Sequence, residues 1–87
     1  MSTLYDVDMH YVYVLLNLKT HKPYIGQTKS LRQRFSAHQG HGSFNLVYYE
    51  AYRDPHAAYK REKLLKNYGT TWTRLKQRLD TSFKMAG

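Results

Sequence analysis

From Pro23 to His38 the sequence reads PYIGQTKSLRQRFSAH, a Tyr-Ile-Gly turn followed at once by Lys29, Arg32, Arg34 and His38. Cations concentrated in this way admit two chemistries: a site that handles phosphate, or a basic face that is only solvated. A carboxylate further on complements them. In AAYKREKLLK, Ala58 and Leu65 mark the inward side of a helix, and Glu62 stands four residues after the first and three before the second. Its side chain is therefore aimed toward the interior. Each residue also has a plainer reading. Glu62 at the edge of an apolar stripe pairs with Lys66 at i+4, Tyr13 and Tyr24 are core or hairpin residues, Arg34 joins a solvated face, and His38 is a surface histidine. Two other chemistries fall away. His38 and His41 lack a second pair at metal-ligand spacing and the chain has no Cys, so there is no zinc pattern and no thiol nucleophile. Gly40 and Gly42 form no GxxxxGK[ST] or GxGxxG loop.

The elements that must position these groups are legible from local patterns. YVYVLLN (11–17) is rich in β-branched and aromatic residues and reads as a buried strand. NLKTHK turns the chain into a second short strand, PYIG, where Pro23 suits a strand start and Gly26 allows a bend or a close backbone approach. Ser30 is placed to cap a helix from Leu31 to about Gln39, with Leu31 and Phe35 one turn apart and Arg34 and His38 sharing another stripe. LVYYEAY (46–52) reads as a third strand. Asp54 before Pro55 is a helix start, an N-cap with proline at the first helical position, for a helix to about Asn67 that Gly69 closes. Thr70 or Thr71 caps a last helix with Trp72, Leu75 and Leu79 as its core stripe, and the chain after Ser82 is expected to fray. The order β-β-α-β-α-α predicts an α/β domain on a small, three-stranded, largely antiparallel sheet flanked by helices. Residues 10–82 form the domain, with an extension over 1–9 and a tail over 83–87.

Composition narrows the class of partner. The chain has 87 residues, enough for one domain with a modest core. Fourteen Lys+Arg against six Asp+Glu give a formal charge of +8, which favours a polyanion such as nucleic acid. The nine Tyr serve stacking on bases as well as core building. MSTLYDVDMH has no apolar signal region and the apolar run Tyr11–Leu16 is too short to span a bilayer, so a cytoplasmic protein with no membrane partner is expected, nucleoid-associated if bacterial.

These residues resemble the GIY-YIG nucleases, which include homing endonucleases, some restriction enzymes and the nuclease subunit of bacterial excision repair. The resemblance covers nearly all of residues 10–82. YVY (11–13) stands where the family has GIY, and YIG (24–26) matches letter for letter at the usual separation. Arg34 in SLRQR matches the motif arginine, His38 the histidine often found one turn later, and Glu62 the metal-binding glutamate. Tyr11 replaces the first glycine of GIY. Excision-repair members carry a Lys directly after their tyrosine motif and an Asn about a dozen positions after the glutamate; here Gln27 and Arg74 stand at those places, and Lys29 or Asn67 is the candidate substitute.

The resemblance implies a phosphodiester hydrolase that uses one divalent cation, Mg²⁺ or Mn²⁺, with Glu62 as its ligand. A hard cation that keeps several waters suits a single carboxylate plus a substrate phosphate. Arg34 offers the planar fork that stabilises developing phosphoryl charge. Tyr13, Tyr24 and His38 each stand as the general base, His38 also as a phosphate ligand, and the sequence leaves the three open. Lys29, Arg32, Lys60, Arg61, Lys63 and Lys66 read as outer contacts to backbone phosphates. The expected protein is an endonuclease on DNA, including branched or single-stranded forms, in repair or recombination. With no appended recognition domain expected, base specificity should be poor and a protein partner would supply it. The competing classes are a non-catalytic nucleic-acid-binding module of the same fold and a basic structural protein of a nucleoprotein particle.

Overall fold

The computed structural model describes residues 8–34 and 43–86. Three strands, β1 (His10–Asn17), β2 (Pro23–Thr28) and β3 (Phe44–Tyr52), form an antiparallel sheet in the order β2-β1-β3. Three helices follow: α1 (Pro55–Lys66), α2 (Thr70–Arg78) and α3 (Asp80–Ala86). Residues 31–34 are helical between β2 and β3, and the rest of the helix expected there lies outside the described residues. The α/β class and the antiparallel sheet are those the sequence predicts.

The continuous apolar run of β1 follows from its central place, where both faces are covered. Val12 and Val14 point to the helices and join Ile25, Ala58, Leu65, Trp72, Leu75 and Leu79 in the core. Tyr13 and Leu15 alternate to the other face and are as deeply buried. The β1–β2 hairpin is pinned by Asn17, whose Oδ1 accepts from the amides of Lys19 at 2.8 Å and Thr20 at 3.1 Å.

Two of the three helix starts read from the sequence form as expected. Asp54 accepts from the His56 amide at 2.9 Å with Pro55 behind it, and Ser30 Oγ accepts from the Gln33 amide at 3.3 Å. Three local expectations give way. Tyr68, with φ 55°, takes the left-handed position after α1 that the sequence predicts for Gly69; its ring packs edge-on against Trp72 at 5.8 Å, a contact set against the backbone cost. Gly69 instead precedes α2 as an N-cap without a side-chain bond, in place of Thr70 or Thr71. Beyond Ser82 the chain stays helical, because Phe83 returns to the core edge-on to Trp72 at 6.4 Å. Among the described residues no helix is long and apolar enough to cross a membrane.

Candidate active site

The site is built across the β1–β2 pair. Tyr13 lies directly opposite Gly26, and Tyr24 opposite Leu15, so the two tyrosines are diagonal neighbours on the face away from the helices. Their rings stack with centroids 6.4 Å apart and planes at 26°. Gly26 is the reason the arrangement closes. A Cβ built there would run into the phenol oxygen and Cζ of Tyr13, and would meet its Cε1 at 3.0 Å. The missing side chain thus leaves room on that face of β2 for the Tyr13 ring to lie across Gly26. Tyr13 is 2% exposed and Tyr24 42%, so one phenol is enclosed and its neighbour is open to solvent.

Arg34, itself exposed, and the half-buried Glu62 both bear electrostatically on the enclosed phenol. Burial pushes Tyr13 above its ordinary value of 10.0; Arg34 pulls it down, and Tyr24 and Glu62 raise it further. All three groups are therefore close enough to bear on its ionisation. The Ser30 cap orients the turn that carries Arg34, whose amide donates to the Ser30 carbonyl at 3.1 Å. Glu62 arrives from the helix side. Ala58, Arg61, Glu62 and Leu65 form the inward stripe of α1, with Ala58 and Leu65 fully buried at its centre. The two charged members flank that centre and reach opposite edges of the sheet. Glu62 Oε1 accepts from Gln27 Nε2 on β2 at 3.4 Å, and its Oε2 faces Lys66 Nζ at 3.3 Å. The local pair with Lys66 is thus present, together with a contact across the fold that a solvated helix face would not make.

Arg61 turns the other way, to Glu50 on β3. Its Nε donates to both Glu50 oxygens at 3.0 and 3.1 Å and its Nη2 to Oε2 at 2.9 Å, while the hydroxyls of Tyr48 and Tyr52 donate at 2.6 and 2.5 Å. Burial pushes the Glu50 carboxyl up, but these hydrogen bonds and the Arg61 charge more than reverse it, so it titrates below its ordinary 4.5. The phenol of Tyr52 is pushed up to about 12 by burial and by the same carboxylate. A lowered carboxyl contributes stability that is complete above 4.5 and lost as pH falls through its folded value; the raised phenol contributes below 10.0 and loses it as pH rises through about 12. Glu50→Gln leaves donors without their acceptor at a cost of roughly 2 kcal/mol, which is expected to lower Tm at pH 7 by about 10 °C. That difference should narrow below pH 4.5, where the wild-type carboxyl takes its proton. A difference in thermal unfolding that held constant into acid would contradict this account of the cluster.

The remaining sequence candidates divide by position. Lys29 and Arg32 are exposed beside the Arg34 turn. Lys60, Lys63 and Lys66 are exposed on α1, with Lys63 Nζ 5.0 Å from the centre of the Tyr59 ring. Arg61 is largely committed to Glu50. His38 lies outside the described residues. Sequence reasoning missed Gln27 as the residue that meets Glu62, although its place directly after YIG was a usable signal; it also missed Glu50, whose partners come together only in the fold. Among the described residues no three His, Cys, Asp or Glu side chains converge as a metal cage. An acidic centre here is one carboxylate, a donor set that fits a hard cation otherwise held by water and phosphate.

The model of the GIY-YIG catalytic domain matches residues 9–75. Comparison with curated proteins and with solved structures finds no match for the chain.

Proposed function

The chain belongs to the GIY-YIG family, whose members are endonucleases, and we propose that it hydrolyses phosphodiester bonds in DNA with one divalent cation, Mg²⁺ or Mn²⁺, held by Glu62. The contrast between two carboxylates carries this reading. Glu50 has its acceptor sites filled by five hydrogen bonds of 2.5–3.1 Å. Glu62, with its side chain 15% exposed, has only two long contacts at 3.3 and 3.4 Å. Among the described residues these leave lone pairs of Glu62 for a hard ligand. Such a cation, when bound, supplies positive charge to the phosphoryl oxygens. Arg34 presents its guanidinium to the same oxygens. Tyr13, raised by burial, keeps its proton at neutral pH and serves as a hydroxyl that donates to phosphate or orients water. The attacking water then gives its proton to the phenolate form of Tyr24 or to the neutral imidazole of His38. The DNA is read with little base specificity, through its structure or under the direction of a protein partner, in repair or recombination.

A second reading has one observation in its favour. Glu62 already meets Gln27 and Lys66, as it would in a module that binds nucleic acid without cutting it. Purified protein incubated with supercoiled, branched and single-stranded DNA in Mg²⁺, Mn²⁺ or EDTA separates the two: nicks that require metal support the nuclease, and binding without nicks supports the module. Within the nuclease reading, Arg34→Lys is expected to lower turnover about 10²-fold with a much smaller change in affinity, since one oriented transition-state donor is worth about that much. Equal losses in kcat and in binding would make Arg34 a docking contact.

A further inference from the structure

On the β3 side of α1, away from the Glu62 contact with β2, a cavity of about 390 Å³ is lined by Arg61, Thr71, Arg74, Leu75 and Arg78. Among the described residues no carboxylate lines it. Thr71, Arg74, Leu75 and Arg78 follow one another at i, i+3, i+4 and i+7 along α2, so they share one face. Leu75 is buried in the core and anchors that face, while Arg74 and Arg78 stand exposed at its rim. Neither arginine forms an ion pair among the described residues. Arg61 enters from α1 with Nε and one Nη2 hydrogen engaged by Glu50, which fixes the guanidinium and leaves the Nη1 hydrogens and the second Nη2 hydrogen as donors not used by that pair. Glu50 neutralises one of the three guanidiniums. Two positive charges with a hydroxyl beside them remain around one concavity, an arrangement that costs repulsion until an anion enters.

We propose that this cavity between α1 and α2 binds a backbone phosphate of a nucleic acid, on the side of α1 that faces away from the Glu62 contact with β2. It rests on the reading of the chain as a nucleic-acid-binding protein and does not depend on cleavage. Arginine forks fit phosphate oxygens bidentately, and Thr71 adds a neutral donor. Because Arg61 and Glu62 are consecutive on α1 but diverge to opposite edge strands, the substrate would be held on both sides of that helix. The phosphate group is shared with lipid headgroups; the formal charge of +8 and the family favour the nucleic-acid source.

The test is a titration of fluorescein-labelled duplex DNA by the full chain in EDTA, read by anisotropy over a series of salt concentrations. Arg74→Gln with Arg78→Gln should reduce the slope of log K against log salt by about 1.8, two phosphate contacts at about 0.9 each. Arg74→Lys with Arg78→Lys should restore most of that slope, which separates lost charge from lost fold. A control pair of the same charge, Lys76→Gln with Lys84→Gln, should leave the slope near the wild-type value. Equal slopes in the arginine and control pairs would overturn the proposal, and so would an arginine effect confined to vesicles of phosphatidylserine in phosphatidylcholine. A protein that shows the arginine effect but never nicks DNA in Mg²⁺ would keep this site and lose the nuclease reading.

Discussion

Replacement of Glu62 by Gln is expected to abolish metal-dependent nicking, by about 10³-fold or more, while the protein stays folded and binds DNA as well as before or slightly more tightly. The substitution keeps volume and shape and removes one negative charge. What it removes is the anionic ligand of the cation, and Lewis-acid stabilisation of a phosphoryl transition state is worth several kcal/mol, each factor of ten being about 1.4 kcal/mol. The fold should survive because the two contacts of Glu62 are long: the amide of Gln still accepts from Gln27, and Lys66 is half exposed and loses only a pair at i+4. DNA affinity should not fall, since a carboxylate that faces phosphate repels it until the cation is in place. Supercoiled plasmid nicking in Mg²⁺ and anisotropy in EDTA measure the two effects on one preparation. Wild-type nicking by the variant would remove Glu62 from the metal site.

Gly26→Ala should damage both stability and turnover, for a reason confined to one ring. The new methyl occupies the space of the Tyr13 phenol. That ring cannot yield inward, because it is 2% exposed and stacked against Tyr24 at 6.4 Å. Either the phenol leaves its place or β2 shifts from β1. Overpacking of this kind costs roughly 1–3 kcal/mol, and displacement of a reacting group by about 1 Å lowers rate on the order of 10²-fold. Gly69→Ala is the control, since a Cβ at Gly69 meets nothing within 4 Å. Denaturant unfolding and nicking rates should both separate the two alanine variants. If Gly26→Ala folds and cuts like wild type, the Tyr13 phenol does not lie across Gly26 and the tyrosine pair is not the centre of the site.

What could be read from the chain alone was whatever a few consecutive residues decide among themselves. The caps at Asp54 and Ser30 are satisfied within three residues, and the run of β1 announces its burial on both faces. Spacing alone also places Glu62 on the inward stripe of α1, and the resemblance to the GIY-YIG nucleases marks Tyr13, Tyr24, Arg34, His38 and Glu62 as one set. Tertiary structure decided the partners. Arg61 and Glu62 are adjacent in sequence, one basic and one acidic, at the edges of one stripe, yet Arg61 pairs with Glu50 eleven residues away and Glu62 meets Gln27 thirty-five away. Their divergence depends on how α1 sits across the strand order β2-β1-β3, which no local propensity encodes. The same holds at Tyr68, whose left-handed backbone goes with a ring packed edge-on against Trp72. It holds most clearly at Gly26, which the chain marks as a flexible point and the fold uses as an absence, since the side chain it lacks is the space that the opposite strand fills with Tyr13.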